Sequence, residues 1–286
     1  MNLSRRNFLK AGLASGAFFL AACSTAPSGP ADGGSGGAGS EAAPDQLMPT
    51  EGMDFIVGFD QDYRPYGYVG DNGEFTGFDL DLAKRVCELR SWNYIPQPIN
   101  WDAKDGELNG GSITCIWNGF TYEQREDDYT WTPVYMENAQ VFAVKADSGI
   151  STFDDLAGKV VETQVDSSGL AVLTSDYPDL VESFASLETR AEYGTCFMEL
   201  ESGACDAVAC DLSVAAYQIA AKPDVFVMLE DRLNSEHYAV GFKKGNTELA
   251  AAVTESLRQM DADGEVEALC EAYADQGISY AGWCLE

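Results

Sequence analysis

From Met53 onward the chain alternates short apolar runs with stretches of helical spacing, and it does so twice. Residues 55–59 read as a strand, Phe78, Leu82, Val86 and Leu89 recur at helical spacing, and residues 94–99 and 113–117 read as further strands. The order returns with a strand at 159–163, helix at 170–176 and 197–200, a strand at 207–210, helix at 213–221 and a strand at 225–229. A last strand at 238–242 precedes helical stretches at 247–260 and 265–273. This pattern predicts an α/β fold of two similar halves with a ligand between them. Open sheets of this kind bind beyond the carboxyl ends of their strands, so the loops after strands are where function is sought.

With 286 residues, 45% hydrophobic and 22% charged, the chain can bury a core of one or two domains. Its 17 Lys and Arg against 47 Asp and Glu give a formal charge of -30, which repels phosphate backbones and excludes nucleic acid as a partner. The one histidine, His237, limits any Ser-His-Asp or Cys-His nucleophile to that residue and deprives a zinc site of its commonest nitrogen ligand. No metal is expected. His237 itself, just before the last strand, reads as a solvated or packing residue rather than a catalytic one.

The N-terminus reads as an export signal over residues 1–22: a basic stretch (Arg5, Arg6, Lys10), an apolar run over 11–20 too short to span a bilayer, and small residues. Ser4-Arg5-Arg6-Asn7-Phe8-Leu9-Lys10 resembles the twin-arginine export motif, with an ordinary basic leader as the alternative. Leu20-Ala21-Ala22-Cys23 resembles the lipobox of bacterial lipoproteins, in which Cys23 becomes the acylated first residue. From Cys23 to residue 50 the chain is dominated by Gly, Ser, Ala and Pro, the composition of a flexible tether. Lipid, tether and folded body imply a protein anchored at the outer face of the bacterial cytoplasmic membrane. Beyond Cys23 seven cysteines remain, an odd number. Export favours disulfides over a metal site, and Cys270 with Cys284 is one plausible local bridge, the pairing of the rest being open.

Several loops then match one family in order. Gly58-Phe59-Asp60, Tyr63-Arg64-Pro65-Tyr66 and Gly77-Phe78-Asp79-Leu80-Asp81-Leu82-Ala83 resemble the opening of the polar amino-acid-binding proteins of ABC importers. So do Leu108-Asn109-Gly110-Gly111, Asn118-Gly119-Phe120-Thr121 with Arg125, Trp131-Thr132-Pro133-Val134-Tyr135, Ser167-Ser168-Gly169 and Leu200-Glu201-Ser202-Gly203 with Asp206-Ala207-Val208 and Asp211. The resemblance implies a two-lobed, type II periplasmic-binding-protein-like fold. Lobe 1 would span residues 51–139 plus 239–286 and lobe 2 residues 143–235, joined by two hinge strands around a ligand cleft. It also implies a monomer without cofactor that delivers a free amino acid to the permease subunits of an ABC transporter.

A free amino acid presents a carboxylate and an ammonium, and both need matched partners when buried. Thr121 with Gln124 forms a capping-box pattern that predicts a helix start beside Arg125, a carboxylate clamp of N–H groups and guanidinium. In the family the counterpart of Arg125 grips the α-carboxylate, with backbone groups at Asn118 and Phe120 adding hydrogen bonds; the bland reading of Arg125 is a surface salt bridge among Glu123, Glu126, Asp127 and Asp128. Ser167 and Ser168 precede a helical pattern and would complete the carboxylate site or serve as N-caps. Asp211 ends an apolar strand, where the family has its α-amino-binding acid, against a simple N-cap role. In relatives, Tyr63 and Trp101 correspond to residues that sandwich the ligand side chain, and Asp60 to an acceptor for a side-chain donor; Gln164 is a further polar candidate. An exported amino-acid dehydratase on the same fold, using a cleft carboxylate as general acid, and a ligand-sensing module are the alternatives.

Overall fold

The two alternating runs fold into two five-stranded sheets. The computed structural model describes residues 46–286; the export signal, Cys23 and most of the tether lie outside the described residues. In chain order come β1 (Asp54–Phe59), a small antiparallel ribbon of β2 (Asp62–Tyr63), β3 (Gly67–Val69) and β4 (Phe75–Thr76), helix α1 (Phe78–Arg90), β5 (Asn93–Pro98), α2 (Lys104–Gly110), β6 (Cys115–Ile116) and β7 (Thr130–Trp131). There follow β8 (Met136–Asn138), β9 (Gln140–Lys145), β10 (Val160–Gln164), α3 (Ser168–Asp176), α4 (Pro178–Ser183), β11 (Ser186–Arg190), α5 (Tyr193–Ser202), β12 (Ala207–Asp211), α6 (Leu212–Ala221) and β13 (Phe226–Met228). The chain returns through β14 (Glu236–Tyr238) and β15 (Gly241–Phe242) to α7 (Thr247–Ala262) and α8 (Glu265–Ala272).

The first sheet has the order β5-β1-β6-β15-β7 and the second β11-β10-β12-β9-β13. In each, three parallel strands are followed by an antiparallel strand delivered by a chain crossing: β9 enters the second sheet directly after β8, and β15 re-enters the first directly after β14. The crossings pair with each other, β8 antiparallel to β14 with Asn138 opposite Glu236. Parallel strands covered by helices are apolar on both faces. Phe55, Val57 and Phe59 of β1 accordingly share one buried cluster with Phe78, Leu82 and Val86 of α1 and Leu249, Val253 and Leu257 of α7. Phe142, Val144, Val161, Ala207 and Ala209 pack with Val172 and Leu173 of α3 in the second sheet's own cluster.

Three expectations change. Residues 238–242 are not one strand: β14 stops at Tyr238 because Ala239 and Val240 turn to bond Phe120 and Thr132, and β15 then joins the sheet. Cys270 and Cys284 are both unpaired thiols; Cys270 is buried in the α1–α7 core, whereas the Cys284 amide is held on Tyr135 at 3.0 Å beside the crossing strands. The segment assigned to the tether is already docked at its end, since Gln46 and Leu47 bond Thr247 and Asn246 at the start of α7, each at 3.0 Å.

Candidate functional site

Strand ends of both sheets converge. Asp60 follows β1, the loop from Trp117 to Thr121 follows β6, and Trp101 follows β5 in a short 3-10 turn; Gln164 closes β10 and Asp211 closes β12. Between them is a narrow hollow lined by Tyr63, Trp101, Gly119, Thr121, Arg125, Gln164, Ser167, Ser168 and Asp211, with free volume of only about 10 Å³ in this closed arrangement. Seven of the ten residues singled out from the sequence therefore share one hollow. The other three stand behind it. The Asn118 side chain accepts the Asp60 amide at 2.7 Å, Asp60 accepts the Gln164 amide, and the Phe120 ring is packed edge-on against Trp101 at 5.5 Å. Gly119 has φ 54, and a Cβ there would meet the Tyr63 ring at 2.7 Å, so only glycine lets that loop pass beneath the tyrosine.

The loop is held from below by Asp79, fully buried in the first turn of α1, which accepts the Gly119 amide at 2.6 Å and the Tyr135 hydroxyl at 2.8 Å. Replacing Asp79 by Ala orphans both donors. A loss of about 2–4 kcal/mol is expected, read by calorimetric unfolding as a Tm lowered by several degrees.

Arg125 does not follow a helix start. Residues 122–129 form successive turns, Gln124 sits at φ 65, and the capping-box side chains are used elsewhere: Thr121 Oγ1 donates to Glu236 at 2.9 Å and Gln124 Nε2 to Ser175 across the cleft. The clamp therefore lacks an array of helix N–H groups on this side. Among the described residues the guanidinium donates only to carbonyls, Thr121 O and Asp166 O, each at 3.3 Å, and lies 5.3 Å from the centre of the Phe120 ring. Among the described residues no carboxylate forms a salt bridge with Arg125, and the neighbouring acids do not claim it. Glu123 instead holds His237 at 2.7 Å on the crossing strand. Facing Arg125 across the cavity is the N-terminus of α3, where Ser167 caps the Leu170 amide at 3.1 Å and Ser168 donates to Glu236 at 2.6 Å. Their hydroxyls are thus engaged within the protein while the first turn of α3 borders the hollow.

On the other side stands an acid pair. Asp211 occupies the N-cap position of α6 but makes no side-chain cap; Oδ1 accepts from Asn138 (2.8 Å), Gln140 (2.9 Å) and Tyr238 (2.9 Å). The same Asn138 and Gln140 amides donate to Glu236 Oε1 at 2.7 and 2.9 Å. Two buried carboxylates share two donors, and among the described residues neither has a Lys, Arg or His partner. Burial, with Glu236 as a repelling neighbour, pushes the Asp211 carboxyl up to about 7. Glu236 was missed in the sequence, although an acid opening the apolar run of the last strand was a readable signal.

Burial also pushes Asp79 up to about 7 and Asp60 to about 6. Each is raised above its unfolded value, so the folded chain holds the proton more tightly. The resulting stabilisation is full below about pH 4 and is lost as pH rises through 6 to 7. Ligand-free protein is expected to melt on the order of 5 °C lower at pH 8 than at pH 5, measured by calorimetry at constant ionic strength. A Tm that rises across that interval contradicts the assignment.

Contacts across the cleft tie its two sides. Lys104, only 2% exposed at the start of α2, is paired with Asp166 at the α3 entrance, and its ammonium lies 5.4 Å from the Trp101 ring. Asp62 accepts the Gly194 amide in the first turn of α5 at 2.9 Å. Lys104 carried no motif and was not anticipated. Lys104→Met removes the charge and keeps the buried stem, so dissociation of a bound ligand is expected to speed up by about tenfold with little change in association; stopped-flow fluorescence of the cleft tryptophan reads both rates.

The family model for bacterial extracellular solute-binding proteins, family 3, matches residues 55–276. The chain is similar to the L-cystine-binding protein TcyJ of Escherichia coli strain K12, 26% identical over 223 residues that cover 76% of this chain and 81% of that protein. A substrate-binding protein of an ABC uptake transporter from Streptococcus pneumoniae, solved with bound histidine, superposes with a TM-score of 0.76 at 28% identity, covering 79% of this chain and 94% of that one. The ancestral amino acid-binding protein AncCDT-1, a precursor of cyclohexadienyl dehydratase, superposes with a TM-score of 0.70 at 29% identity over 77% of this chain and 95% of that one. Two sheets joined by paired crossings, strand ends meeting at a charged hollow and a match over most of the folded body lead to one conclusion: this chain belongs to the family 3 bacterial extracellular solute-binding proteins.

Proposed function

We propose that the cleft captures a free polar amino acid outside the membrane and that the loaded, monomeric chain delivers it to an ABC permease without covalent chemistry. One observation carries this reading. A single cavity has on one side a guanidinium and on the other Asp211, backed by the buried Glu236; among the described residues no carboxylate pairs with the first and no cation with the two acids. A zwitterion is the solute that satisfies both, and a buried charge is tolerated only with such a match. Arg125 and the first turn of α3 take the carboxylate, Asp211 takes the ammonium, and the side chain passes Tyr63 and Trp101 toward Asp60 and Gln164, which favours a ligand with a donor-bearing end. Because these groups come from both lobes, ligand binds the closed form better than the open one, and that differential closes the cleft.

The pairing of residues 136–138 with 236–238 supports placing the hinge there, with lobe 1 over 51–139 and 239–286 and lobe 2 over 143–235. Lipidation at Cys23 would hold the protein at the outer face of the cytoplasmic membrane, with residues 24–45 as the tether. The alternative, an exported dehydratase, draws support from the likeness to AncCDT-1 and from an Asp211 carboxyl raised enough to act as an acid near neutrality. A thermal-shift screen of the twenty amino acids with cystine and ornithine tests the reading, since a ligand raises Tm by mass action. A polar amino acid should stabilise the chain and be recovered intact after prolonged incubation; conversion of the ligand would favour the enzyme, and no shift with any of them would remove the amino-acid reading.

A further inference from the structure

Glu236 is fully buried and accepts five hydrogen bonds. Oε1 takes Thr121 Oγ1 at 2.9 Å, Asn138 Nδ2 at 2.7 Å and Gln140 Nε2 at 2.9 Å; Oε2 takes Ser168 Oγ at 2.6 Å and Asn234 Nδ2 at 2.8 Å. The sources of these donors matter more than their number. Thr121 belongs to the loop after β6 on the first-sheet side, Ser168 opens α3 on the second-sheet side, and Asn138, Gln140 and Asn234 stand on or beside the two crossings. The shell around this carboxylate is complete only when both lobes meet at the hinge.

We propose that Glu236 is a positioning residue that couples occupation of the ammonium subsite to closure of the cleft, an inference that rests on the zwitterion reading above. Two effects act together. Closure supplies the donors from Thr121 and Ser168, without which a dry carboxylate is costly. Closure also brings Glu236 and Asp211 into a water-poor space where they share Asn138 and Gln140, and two like charges there repel. An ammonium on Asp211 relieves that repulsion. Shutting the cleft is thus opposed for a solute lacking an amine and favoured for one that has it. Asp211 is linked to Glu236 through shared amides rather than by direct contact, so Glu236 acts on the ligand through Asp211 and the hinge.

The other titratable groups around the pair do not duplicate this role. Tyr63, Tyr66, Tyr193, Tyr238 and Cys210 are pushed upward by burial and stay neutral below pH 8. Arg125 lines the far side of the cavity, Asp60 answers to Gln164, Asp79 to Gly119 and Tyr135, and His237 to Glu123.

The test uses Glu236→Gln and the amino acid that gives the largest thermal shift in the panel. Three quantities are read: affinity from pH 5 to 8, dissociation rate, and the radius of gyration with and without ligand by small-angle scattering. Removing the like charge beside Asp211 should move the acid loss of affinity down by about one pH unit. Dissociation should speed up by about tenfold, and the ligand-free chain should become more compact. A merely structural glutamate would leave the pH midpoint in place. If Glu236→Gln does not fold, the pair Thr121→Val with Ser168→Ala removes both cross-cleft donors, and faster dissociation supports the proposal while wild-type rates overturn it. A folded Glu236→Gln with the wild-type midpoint and dissociation rate overturns the inference alone. Wild type that binds no amino acid in the panel overturns it together with the reading on which it rests.

Discussion

Asp211→Asn is expected to lower affinity for the amino acid by at least about a hundredfold, because removing one partner of a buried charge pair costs about 3–5 kcal/mol. The substitution keeps an oxygen able to accept from Asn138, Gln140 and Tyr238, so the local network survives. What it removes is the negative charge facing the ammonium. Stability of the ligand-free chain should hold or rise slightly, since burial already pushes the Asp211 carboxyl up to about 7 and the amide has no charge to desolvate. Loss of binding with retained Tm separates this role from a structural one, and calorimetry provides both numbers. An N-cap residue would behave in the opposite way, weakening the fold and sparing the ligand, but Asp211 makes no cap.

Arg125→Ala should abolish measurable binding by the same reasoning from the other pole, again by more than about a hundredfold. Within the protein Arg125 donates to two carbonyls at 3.3 Å, weak contacts whose loss disturbs little. Arg125→Lys keeps the charge but not the planar fork, so affinity should fall by an intermediate amount of about tenfold. If Lys binds as well as Arg, charge alone matters; if Ala binds as well as Arg, the carboxylate is held elsewhere and α3 is the first place to look. Titration of each variant against the same ligand at pH 7.5 distinguishes these results.

The α/β fold was legible because burial on both faces of a parallel sheet writes continuous apolar runs, and strands such as β1 and β12 appear in the sequence nearly at their true limits. Asp60 and Asp211, at the ends of those strands, were legible for the same reason: a polar side chain stopping an apolar run calls for an explanation, whereas Gln164, closing the mixed run of β10, entered only as a further polar candidate. The antiparallel β9 was not assigned, because it lies where one lobe hands over to the other and only a short 3-10 helix, Phe153–Leu156, separates it from β10. Thr121 and Gln124 misled for a physical reason. The capping box describes local competition for backbone N–H groups, but here Thr121 answers to a buried glutamate 115 residues away, a partner that no local pattern reveals. Lys104 and Glu236 escaped notice likewise, since each draws its meaning from residues of the opposite side or the hinge. Ser167 shows the reverse case. Its N-cap geometry is local, was anticipated as one of two roles, and is present at Leu170.

The central claim is that opposite charges on the two sides of one cavity enclose the two poles of one small molecule. Calorimetry with three forms of the stabilising amino acid tests it most directly: the free zwitterion, its carboxamide, and its N-acetyl derivative. The account predicts binding of the first, and loss of at least about a hundredfold for each of the others, the carboxamide through Arg125 and the N-acetyl form through Asp211. Binding of either capped form as tightly as the free amino acid would contradict it.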